Sequence, residues 1–433
     1  MCEPGGARAA TIAALHRLAA KRPLGIAVSG GGDSLALLAM AAEARTGLHA
    51  VTVDHGLRPE AWAEAKAVAD FAAARGIPHT TLTARIAPGG NLSARARTAR
   101  YDLIATWARQ HGLDQVALGH TLDDQAETVL LRLARGAGAD GLAAMAESRD
   151  WLGIRWLRPM LAVGRADLRT WLTDRSIPWA EDPTNQDPHY DRVRARQALG
   201  ALAPLGIDAA ALAATAGRLQ AQKAVLQAET AALAAETRTW GPFSEAWIDP
   251  NAAKALPEVA RRLIVDTLMQ VAGLDYAPRQ RSLDALLPGL WAADFPGATL
   301  AGCLIQRMKG QILICREPAA VAATAPLPPT GLLWDRRWWI DGAPRKIRIG
   351  ALGAEGIAEI KRAEAAGWAA PAPWQAASHA VKLTLPALWN DPGGAPPHLV
   401  AVPPIAYLSP NAPSGAGDVT ATPALRHDDP GPG

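Results

Sequence analysis

The residues with the clearest chemical content are Ser29-Gly30-Gly31-Gly32-Asp33-Ser34. A short apolar run at residues 24–28 precedes them and reads as a buried parallel strand. Leu35-Ala36-Leu37-Leu38-Ala39-Met40 follows and reads as a helix. A strand, a glycine turn and a helix N-terminus together make an anion site: glycines let backbone N–H groups approach phosphate oxygens, and the helix end adds favourable partial charge. Ser29 and Ser34 add hydroxyls. Neither GxxxxGK[ST] nor GxGxxG fits this loop, which has no lysine. Asp33 is the odd member, because a carboxylate facing phosphates is repulsive unless a cation lies between them; it reads as a Mg²⁺ ligand, direct or through water. The plainer reading is a tight βα turn whose Asp and Ser cap a helix.

Four further clusters carry chemistry. Asp54-His55-Gly56-Leu57-Arg58 follows the apolar run at 48–53 and gathers a carboxylate, an imidazole and a guanidinium at a strand end. Gly119-His120-Thr121-Leu122-Asp123-Asp124-Gln125-Ala126-Glu127-Thr128 follows the run at 115–118. On a helix, His120 and Asp124, and Asp124 and Glu127, share a face. An acidic helix start that complements the macrodipole is the plain alternative. Arg95, Arg97 and Arg100 precede Tyr101 on a helix expected at about residues 91–111; they form either a solvated basic face or a cleft-facing set that stabilises phosphoryl charge. Arg192, Arg194 and Arg196 make a basic patch suited to an RNA backbone.

The elements that must position these residues alternate. Strands are expected at 24–28, 48–53, 79–83 and 115–119, with helices at 34–45, 60–75, 91–111 and 122–135. Such alternation means a parallel sheet covered on both faces, with ligands beyond the carboxyl ends of its strands. A Pro/Asp/Asn-rich segment at 182–191 closes this region. A long Ala-rich helix at 208–238, helices within 257–290 and a strand at 311–315 follow. Residues 318–330 read as a Pro/Ala linker, 331–409 as a small domain of short strands, and 410–433 as a disordered tail.

At 433 residues, two or three domains are expected. With 49% hydrophobic and 20% charged residues the chain is of the soluble globular class. The net charge of +3 is small, so a nucleic-acid partner must be held by local basic clusters. These are Arg261, Arg262, Arg279 and Arg281, and then Arg336, Arg337, Arg345, Lys346 and Arg348. Trp334, Trp338 and Trp339 beside the last cluster are expected in a core rather than stacked on bases. The three cysteines, Cys2, Cys303 and Cys315, form no CxxC pair, so disulfide frameworks, zinc clusters and iron–sulfur sites have no support. No signal peptide is evident, and Arg218, Lys223 and Glu229 break the Ala-rich stretch, so no membrane partner is expected and a reducing cytoplasm is the expected location.

The loop at 29–34 resembles the SGGxDS loop of the PP-loop ATP pyrophosphatases. Taken in order with Val53-Asp54-His55-Gly56-Leu57-Arg58, the GHxxDDQAET run at 119–128 and Glu181-Asp182-Pro183-Thr184-Asn185, it resembles the tRNA(Ile)-lysidine synthetase family over about residues 20–200. Leu256-Pro257-Glu258-Val259-Ala260-Arg261-Arg262, Leu385-Pro386-Ala387-Leu388-Trp389 and Leu399-Val400-Ala401-Val402-Pro403 resemble that family's later domains more loosely. The Pro/Gly-rich tail and Arg194-Ala195-Arg196-Gln197 depart from it.

The resemblance implies an α/β fold: a parallel-sheet PP-loop (adenine nucleotide alpha hydrolase-like) catalytic domain at 1–200, a mainly helical tRNA-binding domain at 201–317 and a small α+β tRNA-binding domain at 331–409. It implies ATP and Mg²⁺ as cofactors, and ATP, free L-lysine and a CAU-anticodon tRNA(Ile) as partners, and leaves a homodimer open. Ser29, Gly30, Gly31, Gly32, Asp33, Ser34, Asp54 and His55 would bind ATP, with Mg²⁺ on Asp33. Asp33, Arg97, Arg100, His120 and Asp124 would act in catalysis; Asp123, Asp124 and Glu127 would bind lysine; Arg192, Arg194, Arg196, Arg261 and Arg262 would bind tRNA. The proton acceptor, His120 or a carboxylate, stays open. Related thiolases need cysteines that this chain lacks between Cys2 and Cys303, GMP and asparagine synthetases need a glutaminase domain not expected here, and an NAD synthetase would not need about 230 residues beyond its core. An ATP-sensing RNA-binding protein is the non-enzymatic alternative.

Overall fold

The computed structural model describes residues 6–54, 61–84, 92–181, 189–274, 277–329, 331–341, 347–390, 399–405, 407–408 and 420–423. The chain divides into two compact units, Met1–Ala224 and Val225–Gly433.

In the first unit the elements run α1 (Gly6–Leu18), β1 (Leu24–Ala27), α2 (Gly32–Ala44), β2 (Leu48–Asp54), α3 (Ala61–Ala73), β3 (His79–Thr83), α4 (Leu92–Gln110), β4 (Gln115–Leu118), α5 (Leu122–Leu133), α6 (Ala139–Leu142), β5 (Ser148–Trp151), β6 (Ile154–Leu157), α7 (Arg165–Asp174), α8 (Asp191–Leu202) and the start of α9 (Ala209–Thr237). Six strands form one sheet in the order β3-β2-β1-β4-β6-β5. All neighbours are parallel except β5 and β6. The strands β1 and β4 are buried at every position, as strands covered on both faces should be, and β4 is apolar after Gln115, whose amide hydrogen-bonds the Ala20 backbone.

Two apolar clusters sandwich this sheet. One gathers α1, α2 and α7 around Leu15, Leu37, Met40 and Trp171. The other packs α4, through Ile104 and Trp107, against Val116 and Trp156. The sequence places β1 before β2, yet β1 lies between β2 and β4. The connections therefore diverge at the β1/β4 pair, and a crevice opens beyond their carboxyl ends. The glycine loop follows β1 and the His/Asp/Glu run follows β4, so both motifs meet there.

The second unit holds β7 (Arg238–Trp240), β8 (Ala246–Ile248), α10 (Pro257–Ala272), α11 (Gln280–Leu290), β9 (Ala298–Leu300), β10 (Cys303–Met308), β11 (Gln311–Arg316), β12 (Ala325–Pro326), β13 (Leu332–Trp334), β14 (Trp338–Ile340), β15 (Ile347–Ala351), α12 (Gly353–Ala365), α13 (Ala372–Ala376), α14 (His379–Leu383), β16 (Pro386–Asn390), β17 (Leu399–Val402), β18 (Tyr407–Leu408) and β19 (Ala421–Pro423). Residues 201–317, expected to be mainly helical, also build a five-stranded sheet, β7-β8-β11-β10-β9. Three of its strands have three residues each, too short for an alternating pattern to stand out in sequence.

The expected linker at 318–330 contains β12, which pairs with β15. One apolar cluster joins Phe243, Leu313 and Cys315 to Trp334, Trp338 and Leu388, so residues before and after that stretch share a core. Most of the expected tail at 410–433 lies outside the described residues; within it, β19 pairs with β14. Trp334 and Trp338 are buried, and Trp339 is exposed with its Nε1 donating to Asp341. Cys303 and Cys315 are buried free thiols, and burial pushes each up to about 12, which keeps them protonated and unreactive. Among the described residues no single helix is long and apolar enough to cross a membrane.

Candidate functional site

A cavity of about 890 Å³ opens at the carboxyl ends of β1 and β4, large for a small-molecule site. Gly31, Gly32, Asp33 and Ser34 form one wall. Gly30 has φ +89°, a left-handed conformation that a side chain would strain. Gly31 is the N-cap of α2 and contributes no side-chain cap, which leaves the helix end open to an anion. Ser34 Oγ donates to Gly31 O at 3.0 Å and accepts from Ser29 N at 3.0 Å, so this hydroxyl braces the loop. On its other side Ala180 N donates to Gly30 O at 3.0 Å, and the Trp179 indole rests where a Gly32 Cβ would approach within 3.3 Å.

The opposite wall is α5. Thr121 caps it: Asp124 N donates to Thr121 Oγ1, and Asp124 Oδ2 accepts from both Thr121 N and Thr121 Oγ1 at 2.9 Å. That capping box turns Asp124 Oδ1 toward the cavity. Glu127, one turn on, is 1% exposed. Its Oε1 takes Arg196 Nη2 at 2.9 Å, and its Oε2 is buried without a hydrogen-bond partner.

Between the two walls stands Arg165, the first residue of α7. Its Nε donates to Asp33 Oδ2 at 3.0 Å, its Nη2 to Asp124 Oδ1 at 3.3 Å and its Nη1 to Glu127 Oε1 at 3.4 Å. Burial opposes its charge, but Asp124, Asp33 and Glu127 outweigh burial and raise its pKa. Burial raises the Asp33 pKa, with Arg165 opposing. Burial pushes Asp124 the same way, but Arg165, His120 and the Thr121 hydrogen bond outweigh it and lower its pKa. The motif reading missed Arg165. A signal existed: an arginine at a helix N-terminus runs against the macrodipole and calls for a compensating partner.

A third wall is basic. Arg97 and Arg100 of α4 line the cavity with Arg192 of α8. Arg97 lies over the Tyr101 ring at 5.3 Å. Burial lowers the Arg100 pKa, and Arg97 and Arg192 add to that. The cavity is thus bipolar, with carboxylates on one side and guanidiniums on the other. His120, also in the lining, is pushed down to about 3, chiefly by burial, with Asp124 opposing; its Nδ1 is buried without a partner. It is a neutral hydrogen-bonding group at neutral pH.

The remaining expected residues fall elsewhere. Asp123 spends its Oδ2 on Arg165 N, at 2.7 Å, and is not part of the lining. Asp54 ends β2 and is half-buried outside the lining, and His55 lies outside the described residues. Arg194 pairs with Asp191 on the surface, since residues two apart on α8 cannot share a face. In the second unit Arg261 pairs with Asp284 and Arg262 is buried. Arg337, grouped with the basic surface in sequence, is buried against Asp335.

A glycine loop at the uncapped start of a helix, at the divergence point of a parallel sheet and facing Asp33, defines a PP-loop ATP pyrophosphatase, and residues 7–203 match the PP-loop domain family. The tRNA(Ile)-lysidine synthase of Ruegeria pomeroyi is 42% identical over 369 residues, covering 82% of this chain and 87% of the relative. That of a Methylobacterium species is 39% identical over 305 residues, covering 68% and 88%. That of Rhodopseudomonas palustris is 48% identical over 194 residues, covering 43% and 56%. The chain belongs to the tRNA(Ile)-lysidine synthase family. Among solved structures, a U34-tRNA thiolase from Methanococcus maripaludis aligns with a TM-score of 0.41 at 18% identity, covering 49% of this chain and 76% of that one.

Proposed function

We propose that this cavity carries both half-reactions of lysidine formation on tRNA(Ile). In the first, the C2 oxygen of the wobble cytidine attacks the α-phosphate of ATP and pyrophosphate leaves. In the second, the ε-amine of free L-lysine attacks C2, loses a proton, and AMP departs with the former C2 oxygen. The bipolar lining carries this reading: one cavity offers guanidiniums and an open helix end to phosphates, and carboxylates to an ammonium-bearing substrate.

The division of labour follows from the charges. The loop at 29–34 cradles the leaving pyrophosphate, with the backbone N–H groups of α2 as donors. Arg97, Arg100 and Arg192 neutralise the charge that develops on the α-phosphate. Asp33 fits Mg²⁺, which takes one or two carboxylates and completes its shell with substrate phosphates and water. When bound there the ion would neutralise charge on the leaving pyrophosphate. Asp124 and Glu127 hold lysine, and the orphaned Glu127 Oε2 is the acceptor best placed to gain from an ammonium. His120, held neutral, is too weak a base to keep the amine's proton. Arg192 and Arg196 in the cavity lining, Arg194 on the surface of the same helix and Arg261 in the second unit supply phosphate contacts for tRNA.

The test is nucleoside mass spectrometry of an unmodified CAU-anticodon tRNA after incubation with the protein, ATP, Mg²⁺ and lysine. Lysidine at one position, dependent on both ATP and lysine, is expected. Pyrophosphate release without lysine incorporation would leave the nucleotide chemistry standing and remove the lysine reading. ATP binding without pyrophosphate release would favour an ATP-sensing RNA-binding protein.

A further inference from the structure

We propose that Arg165 is a resident cation that occupies the substrate-ammonium position of the acidic wall until nucleotide draws it away, so that ATP binding opens the lysine site. The inference rests on the lysine reading above and adds a coupling between the two substrate sites.

Four observations carry it. First, one guanidinium spans two sites of different purpose: Asp33 belongs to the phosphate loop at the start of α2, whereas Asp124 and Glu127 belong to α5. Second, its contacts are uneven: the bond to Asp33 is 3.0 Å, but those to Asp124 and Glu127 are 3.3 and 3.4 Å. Asp124 Oδ2 is filled by Thr121 and Glu127 Oε1 by Arg196, so the weakly held Asp124 Oδ1 and the partnerless Glu127 Oε2 are the two acceptors left under-satisfied, as a stand-in would leave them. Third, the Arg165 backbone is pinned, because its N–H donates to Asp123 Oδ2 at 2.7 Å. Any exchange of partners must therefore be a side-chain swing, which needs no movement of α7. Fourth, the side chain is 16% exposed and reaches the cavity, so an incoming anion can meet it.

The physics gives the direction. A polyphosphate on the loop brings several negative charges beside Asp33 and offers a guanidinium paired oxygens, which arginine binds in bidentate fashion. Arg165 turning toward the phosphates leaves Asp124 Oδ1 and Glu127 one cation short in a buried site. A lysine ammonium then enters beside Arg196, which stays on Glu127 Oε1, without having to displace Arg165. By linkage, bound lysine tightens nucleotide binding by the same factor. The amine is thereby admitted when the nucleotide that activates C2 is already seated.

Calorimetric titration of L-lysine into the wild-type protein, alone and with Mg²⁺ and a non-hydrolysable ATP analogue, tests this without any variant. Lysine should bind at least about five-fold more tightly with the nucleotide, within the usual range of coupling between sites. In Arg165→Met, with folding checked by thermal melting, lysine should bind the nucleotide-free protein about as tightly as it binds the nucleotide-loaded wild type. Arg165→Lys, which keeps a point charge, should retain part of the nucleotide dependence. A wild-type lysine affinity indifferent to nucleotide overturns the coupling while the lysine site stands. Weaker lysine binding by Arg165→Met in both states overturns it too, and would make Arg165 a spacer that holds the carboxylates apart. No lysine binding to the wild type in either state removes the lysine reading and the coupling with it.

Discussion

Gly119 lies directly against Ser34: a Cβ on Gly119 would stand 2.9 Å from the Ser34 Cα and 3.0 Å from its backbone nitrogen. The end of β4 is thus in backbone contact with the first turn of α2, and the phosphate loop and the His/Asp/Glu run are held together with no side chain between them. Gly119→Ala should push α2 off the loop. Such overpacking costs about 1–3 kcal/mol. Thermal melting should show that loss, and equilibrium titration should show ATP affinity falling beyond what the melting shift accounts for.

Asp33 faces the cavity and pairs with Arg165. Asp33→Asn should fold normally and slow pyrophosphate release by about 10²-fold, the scale of losing one electrostatic stabiliser. A pyrophosphate assay at saturating tRNA, run across a range of Mg²⁺ concentrations, checks this. Near-normal release would remove Asp33 from the reaction.

Glu127→Gln should raise the lysine concentration needed for half-maximal rate about tenfold, the loss of one charge-assisted hydrogen bond, and change the ATP requirement much less. Asp124→Asn should act similarly but also lower the melting temperature, because Asp124 is half of the capping box that starts α5. Steady-state kinetics with each substrate varied in turn separates the two effects. A rise in the ATP requirement alone would assign this wall to a metal.

His120 is neutral in the folded protein down to about pH 3, whereas an unfolded histidine gains its proton near pH 6.5. As pH falls below 6.5 the unfolded chain therefore binds a proton that the native protein does not, and stability drops. The slope from this residue is on the order of 1 kcal/mol per pH unit. His120→Gln should flatten the dependence of unfolding free energy on pH between 6 and 4, measured by denaturant titration at each pH. Equal slopes in the two proteins would mean that His120 is solvated.

Two arginines that read alike in sequence should behave oppositely. Arg192 lines the cavity, so Arg192→Ala should weaken tRNA binding and reduce the slope of log affinity against log salt by roughly one unit. Arg337 has a side chain 3% exposed, paired with an Asp335 side chain 2% exposed. Arg337→Ala removes one of the two guanidiniums on the buried Asp335, which keeps Arg316 at 2.9 Å, and should cost about 1–3 kcal/mol of stability with little change in the salt slope. Melting curves and filter binding at several salt concentrations distinguish the two.

The alternation of strands and helices in the first unit was legible because its signals are local: β1 is an apolar run, β4 is apolar after Gln115, and glycines punctuate the chain where the backbone must turn toward a ligand. The acidic face of α5 was legible for the same reason, since helical spacing alone brings Asp124 and Glu127 together. Tertiary structure decided the partners. Arg165 lies 132 positions from Asp33, and Arg196 lies 69 from Glu127. Asp123 sits beside Asp124 in sequence yet caps a different helix. The sheet of the second unit is built from strands too short to carry a period, and its arginines divide into surface and core only once burial is known. Charge acts through space, so sequence can say which groups a site contains, and the fold determines which of them share a cavity and which neutralise one another.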